Sequence, residues 1–102
     1  MNVKPLGIES NGTRSVEIRS GELSYRALLR CIRRIPGAVV SDTAHDAMND
    51  NAKATIRYKE TLLTLETPFS DYIINCSSSG DAFDEFVSKL AAHEVKWWEK
   101  LF

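Results

Sequence analysis

Residues 53–76, KATIRYKETLLTLETPFSDYIINC, predict three short β-strands in close succession. Even positions of 54–58 are apolar and odd positions polar, the period of two that a strand with one buried face requires. A second strand is predicted over 62–67, and it ends before Pro68, which cannot donate a ladder hydrogen bond. The third, over 72–76, is apolar on both sides in its middle. It is therefore either an inner strand covered on both faces or an edge strand against a partner.

The chain before this meander begins with a predicted hairpin. Asn-Gly at 11–12 is a strong turn dipeptide, and it separates Leu6 and Ile8 from Val16 and Ile18. We expect Ile8 to lie opposite Val16 and Leu6 opposite Ile18. An odd-length loop or a bulge permits this register, which keeps the apolar side chains on one face.

A first helix is predicted over residues 22–35, with Ser20 as its N-cap and Pro36-Gly37 as its stop. Its apolar face would pack on the sheet. The opposite face carries four arginines, namely Arg26, Arg30, Arg33 and Arg34. This stripe either binds phosphate groups or is a solvated helix face. No aromatic residue is interleaved with the arginines, which argues against binding of nucleic acid.

A short strand is predicted over 38–40, and an acidic loop follows at 42–51, DTAHDAMNDN. The charged or titratable residues of this loop are Asp42, His45, Asp46 and Asp50. The loop lacks the glycine and the closing glutamate of a calcium-binding EF-hand. We therefore expect a mobile or partner-binding loop rather than a metal site.

The last predicted element is a helix that runs from about residue 81 to the end of the chain. Ser78 and Asp81 have the spacing of a capping box at its start. Trp97 and Trp98 are adjacent, so both cannot face the core, and one should be partly exposed, as an interface anchor or at the rim of the sheet. His93 is predicted to lie on the surface.

The length predicts one small domain, residues 1–102, because a chain of this size can bury a sufficient core without disulfides or metal ions. A hydrophobic content of 43% with 26% charged residues argues against disorder, and no apolar run is long enough for a membrane span. The N-terminus has no apolar segment typical of export, so a cytoplasmic location is expected. Cys31 and Cys76 are predicted to be small buried residues without a metal or redox role.

Charge divides between the two halves of the chain. Residues 1–59 carry ten Lys or Arg against six Asp or Glu, a balance of +4, and residues 60–102 carry three against eight, a balance of −5. Either the folded protein therefore has a positive and a negative side, or the opposite charges of the two halves pair with each other inside the fold.

The predicted fold is α+β, with a mainly antiparallel sheet of four to six strands, two helices on one face and the order β-β-α-β-β-β-β-α. The alternative is a ferredoxin-like split βαβ arrangement without its last strand. In both, the other sheet face would carry Arg57, Lys59, Thr64 and Glu66 and stay open. An exposed edge strand makes a homodimer an alternative to a monomer.

Catalytic signatures are missing, since the sequence has no phosphate loop, nucleophile elbow, HExxH or zinc-spaced cysteine pair. A meeting of a cysteine with a histidine in space is not expected, and no cofactor or metal is predicted.

Three classes of function remain. The first is a non-catalytic protein-binding module, such as a small immunity-type inhibitor that presents its acidic loop and tryptophans to a basic toxin or nuclease domain. The second is nucleic-acid binding by the arginine stripe. The third is a small enzyme or metal-dependent subunit that uses Asp42, His45 and Asp46.

Overall fold

A computed structural model describes residues 1–8, 12–19, 21–46, 51–67, 71–77 and 80–100. Its strands are β1 (Lys4–Ile8), β2 (Arg14–Ile18), β3 (Ala38–Asp46), β4 (Asn51–Tyr58), β5 (Thr61–Glu66) and β6 (Tyr72–Cys76). Its α-helices are α1 (Tyr25–Arg34) and α2 (Asp81–Ala91), followed by a 3-10 turn at Trp97–Lys100.

The predicted fold class is confirmed. All six strands form one antiparallel sheet in the order β1-β2-β6-β5-β4-β3. Both helices pack on one face, so the buried side chains of the strands all point to that side. Three strands separate β2 from β3, the two strands that α1 connects, whereas a ferredoxin-like split βαβ unit has one strand between them, so the ferredoxin-like alternative is wrong. None of the described helices is long and apolar enough to cross a membrane.

The central meander forms as predicted, with β5 between β4 and β6. The third strand differs from expectation in its burial. It lies inside the sheet, between β2 and β5, but only alternate residues are buried, because both helices lie on the same side. Ile73 and Asn75 remain partly exposed on the other face.

The turn between β4 and β5 is strained. Lys59 and Glu60 have φ angles of 47° and 67°, a left-handed pair suited to a two-residue hairpin. A residue with a Cβ loses roughly 1–2 kcal/mol in this conformation, whereas glycine does not. The turn also directs Lys59 toward the helical layer, where its ammonium lies 2.7 Å from Glu85. The prediction that Lys59 lies on the open face is therefore wrong.

Glu60→Gly is expected to raise the free energy of unfolding by about 1 kcal/mol, because it removes the left-handed strain at the second turn position. Lys59 is left unchanged because it binds Glu85. Urea unfolding would measure the gain, with Glu66→Gly in extended β5 as the control, which should lose stability. A loss of stability in both variants would contradict this account of the turn.

The first hairpin forms, but its predicted register is wrong. Pro5 pairs with Val16 and Ile8 with Arg14, and the register shifts between Pro5 and Ile8. Gly7 in this bulge has a φ angle of 95°, which residues with a Cβ rarely adopt. As a result Ile8 lies at the sheet edge with 72% of its surface exposed.

Helix α1 begins later than predicted. The hydroxyl of Ser24 accepts a hydrogen bond from the Ala27 backbone N–H at 3.2 Å, so Ser24 is the N-cap. Ser20, the predicted cap, lies outside the described residues. The predicted stop is confirmed, because the helix ends at Arg34, before Pro36-Gly37.

The predicted acidic loop is largely a strand. β3 continues through Asp46 and pairs with β4, with His45 opposite Ala52 and Asp46 opposite Asn51. A bulge interrupts the pairing near Asp42, whose φ angle is 48°. Alternation did not identify this strand, because its exposed edge position lets polar side chains occupy both faces. Residues 47–50 lie outside the described part of the chain.

Helix α2 ends at Ala91, so the predicted continuous helix to the end of the chain is wrong. Residues 93–96 have no regular secondary structure, and the chain then forms the 3-10 turn. Glu99 fixes this turn twice, since its carboxylate accepts from the Lys96 N–H at 2.8 Å and its own N–H donates to the Lys96 carbonyl at 2.9 Å.

The start of α2 also differs from expectation. Its N-cap is Gly80 without a side-chain hydrogen bond, so the capping box of Ser78 with Asp81 is wrong, and Ser78 itself lies outside the described residues. The first turn of α2 carries Asp81 and Asp84, where the helix dipole favours negative charge.

Candidate functional site

The open face of the sheet carries charged, polar and apolar rows. In one row across the strands Lys53 lies opposite Glu66 and Glu17 opposite Lys4, with Ile73 in the middle. A second row is entirely polar and consists of Ser41, Thr55, Thr64, Asn75 and Ser15. A third row consists of Val39, Arg57 and Leu62, and both of its apolar side chains are exposed. Facing pairs of opposite charge stabilise a sheet locally. The first row therefore needs no partner to balance its charges.

Asp42 and Asp46 lie on the edge strand β3, together with His45. Asp42 is exposed at the bulge, whereas only the backbone is described at His45 and Asp46. Asp50 lies outside the described residues. The metal-dependent role for this segment thus stays a prediction.

The two tryptophans are both exposed, Trp97 by 73% and Trp98 by 46%. Their rings meet edge to face, with centroids 5.8 Å apart. The sequence predicted partial exposure of one of them. Both are exposed because the 3-10 turn buries Glu99 instead of either indole.

The four predicted arginines are exposed on α1, and two of them lie beside a tryptophan. Arg30 and Arg34, one helical turn apart, line a pocket of about 170 Å³ together with Trp98 and Lys96. We call Arg30, Arg34, Lys96, Trp97 and Trp98 the tryptophan–arginine patch. In the folded chain an aromatic ring therefore lies beside Arg30 and Arg34, although none is interleaved with the arginines in the sequence.

The cations of the patch are available to a ligand. Within the described ranges, neither Arg30 nor Arg34 forms an ion pair with a carboxylate. Lys96 has only Glu94, at 3.7 Å and at the exposed surface. The pocket wall includes one carboxylate, Glu99, which is already engaged by other donors.

Below the patch, a cluster joins the buried residues Cys31 of α1 and Glu99 to the half-buried His93. Nε2 of His93 lies 2.9 Å from Oε2 of Glu99, and the thiol of Cys31 donates to the same oxygen at 3.5 Å. The prediction that no cysteine meets a histidine is therefore wrong, and His93, predicted on the surface, is half-buried against Glu99. Sequence reasoning missed the cluster because Cys31 is more than sixty positions from the other two.

Burial and hydrogen bonding shape the ionisation of this cluster. Burial, with the neighbouring Glu99 carboxylate, raises the pKa of the Cys31 thiol to about 11. Burial alone would raise the pKa of Glu99 as well. Hydrogen bonds from the Lys96 backbone, His93 and Cys31 lower it overall. The thiol is thus held protonated, which makes Cys31 a poor nucleophile as it stands.

A second charged cluster ties the β4–β5 turn to α2. Glu85 accepts hydrogen bonds from Lys59 at 2.7 Å and from the Tyr58 hydroxyl at 2.6 Å, and Lys89 lies 3.3 Å away. The bonds from Lys59, Tyr58 and Lys89 lower the pKa of Glu85 from 4.5 to about 2. Such a cluster stabilises the fold and contains no group poised for catalysis.

Because the folded-state pKa of Glu85 is depressed, its stabilising contribution is complete above about pH 4.5 and is lost as the pH falls toward about 2. We expect the difference in unfolding free energy between the wild type and Glu85→Gln to shrink over this window. Urea titrations at stepped pH would measure it, with Asp81→Asn as a control on the same helix. A difference that stays constant from pH 5 to pH 2 would contradict the assigned pKa.

Comparisons with protein-family models, curated proteins and solved structures find no match to this chain.

Proposed function

We propose that this protein is a non-catalytic binding module that recognises an acidic protein surface through the tryptophan–arginine patch. The observation that carries the proposal is the joining of Trp98 to Arg30, Arg34 and Lys96 around one pocket. Tryptophan and arginine are the residues most enriched among interface hot spots, because they combine large contact area with directed hydrogen bonds.

Charge determines the partner chemistry. The patch carries two guanidinium groups and one ammonium group, and among the described residues the one carboxylate in its pocket wall, Glu99, is buried and engaged. An acidic partner would gain paired charges at this surface and would associate faster at low salt. The open sheet face carries Arg57 beside two facing pairs of opposite charge, which is a smaller excess of positive charge.

An immunity-type inhibitor is a different kind of binding module, and it would act in the cytoplasm without using the patch. In that form a basic toxin would contact Asp42, Asp46 and Asp50 rather than the patch. Replacing these three aspartates by asparagine would then slow association and reduce its salt dependence. If the association rate stayed unchanged, the immunity-type hypothesis would be wrong, and the proposal that the patch binds an acidic protein would be unaffected.

The patch has its own spectroscopic reporter, because Trp97 and Trp98 are the two tryptophans of the chain. Iodide should quench their fluorescence more strongly than caesium, since arginines concentrate the anion beside the indoles. The double variant Arg30→Gln/Arg34→Gln should reduce the iodide effect, and Arg57→Gln on the open sheet face should not. Equal quenching by iodide in all three proteins would contradict a cationic patch.

The binding test uses the same proteins as paired baits in lysate of the natural source, at low and moderate salt. We expect one acidic protein in near-equal amount with the wild type and Arg57→Gln, and its loss with the double arginine variant and with Trp98→Ala. Binding of the purified partner should also shift the tryptophan emission. A stoichiometric partner that both patch variants retain would overturn the assignment of the patch.

Single-stranded nucleic acid is the second candidate, because Trp98 beside Arg30 and Arg34 combines a stacking platform with backbone cations. The overall charge of −1 argues against it. An oligothymidylate that quenches the tryptophans at low salt and is released steeply as salt rises would favour this candidate over an acidic protein.

A further inference from the structure

We propose that Cys31, His93 and Glu99 form a zinc site, with a fourth coordination position open toward the pocket of the patch. The proposal is independent of what binds the patch. It rests on three different ligand types that converge from separate parts of the chain and that form no recognisable sequence motif. One ligand atom from each residue lies within 4.8 Å of the other two.

The distances are close to those of a tetrahedral centre. Zinc bonds of about 2.0–2.3 Å place neighbouring ligand atoms about 3.3–3.7 Å apart. Oε2 of Glu99 lies 2.9 Å from Nε2 of His93 and 3.5 Å from Sγ of Cys31. Changes of less than 1 Å along these two edges would therefore accommodate the ion.

Two of the three ligand residues are buried, and His93 is half-buried. Cys31 is 4% exposed on α1, and Glu99 is 6% exposed on the 3-10 turn. The other carboxylate oxygen of Glu99 accepts from the Lys96 N–H at 2.8 Å, which orients the group as outer-shell hydrogen bonds orient metal ligands. Oε2, the oxygen that faces the thiol and the imidazole, is the one that would coordinate.

The ligand set selects the metal. Calcium and magnesium prefer oxygen ligands throughout, whereas zinc accepts sulfur, nitrogen and oxygen together. Thiolate and carboxylate together cancel the two positive charges of the ion, so the filled site adds no net repulsion toward Arg30 and Arg34. The fourth position, on the pocket side, would hold water or an anionic group.

Coordination exchanges protons for the ion. The Cys31 thiol loses its proton to solvent, and the thiolate binds the metal. The proton that Nε2 of His93 donates to Glu99 in the absence of the ion also leaves to solvent, and the neutral imidazole then binds the metal through the Nε2 lone pair with its ring proton on Nδ1. No bond is oxidised or reduced.

The test uses the chain after treatment with a chelator, and cobalt(II) as a visible substitute for zinc. We expect one equivalent to bind, with an intense tetrahedral d–d spectrum and a sulfur-to-cobalt charge-transfer band, and we expect zinc to displace it. Zinc should also raise the melting temperature. A folded wild type that binds neither ion, or a cobalt spectrum without the sulfur band, would overturn the site.

Cys76 supplies the matched control, because it is also buried but lies on β6, outside the cluster. Cys31→Ser and His93→Gln should each weaken zinc binding by about 100-fold or more, and Cys76→Ala should leave it unchanged. Circular dichroism would verify that each variant is folded. If Cys31→Ser does not fold, a second experiment measures whether zinc protects Cys31 of the wild type from a thiol reagent. Equal labelling of Cys31 with and without zinc would count against the site.

Discussion

Phe86→Ala is expected to lower the free energy of unfolding by about 3–5 kcal/mol. Phe86 is fully buried on α2, and its ring lies 5.6 Å from that of Tyr58, tilted by 60°. It therefore joins the second helix to β4 of the sheet. Truncation removes the transfer free energy of a benzyl group and leaves a cavity that the strands cannot close, since six paired strands hold their spacing.

The neighbouring Val87 is the control, because it lies on the same helix but is only partly buried. Val87→Ala should cost about 1 kcal/mol. Urea unfolding monitored by circular dichroism measures both, and similar slopes would show that both variants unfold from the same compact state. Comparable losses at the two positions would mean that Phe86 does not anchor α2 on the sheet.

The parts of the fold that could be predicted are those encoded by local periodicity. The meander follows from alternation within 54–58 and 62–67, because a single buried face imposes a period of two on each strand. The stop of α1 follows from Pro36-Gly37 for an equally local reason.

The predictions are wrong where contacts between distant parts of the chain determine the local structure. The register of the first hairpin depends on a bulge at Gly7 that leaves Ile8 outside the core. Residues 42–46 form an edge strand because β4 is long enough to pair with them. The C-terminal helix stops at Ala91, and Glu99 then organises a separate turn against Cys31.

In the candidate site, too, the features encoded locally could be predicted and those that depend on long-range packing could not. The arginine stripe and the exposed tryptophans were identified individually, since helical spacing and adjacency are visible in the sequence. The contact between these two groups could not be predicted, because the packing of the 3-10 turn beside α1 is what brings Trp98 close to Arg34. His93 carried no local signal at all, and its role depends entirely on Glu99.

Glu99→Gln is expected to lower the free energy of unfolding by about 2–4 kcal/mol in the presence of a chelator, because it removes a buried charge that His93, Cys31 and the Lys96 N–H all engage. The chelator separates this loss from any contribution of zinc. Glu94→Gln is the control, since Glu94 is exposed and has only the 3.7 Å contact with Lys96, so it should change stability by less than about 0.5 kcal/mol. Equal stability of the two variants would mean that the Glu99 charge does not hold the turn.

The tryptophans make the location of this loss measurable. Trp97 and Trp98 occupy the turn that the Glu99 carboxylate fixes, whereas the backbone bond from the Ser24 N–H to the Glu99 carbonyl, 2.7 Å long, does not involve the substituted group. In Glu99→Gln the tryptophan emission should therefore change at lower urea concentration than the circular dichroism, as the turn loosens before the sheet. Coincident transitions would instead place Glu99 in the same cooperative unit as the core. The patch would then be as rigid as the sheet, and a partner would meet a preformed surface.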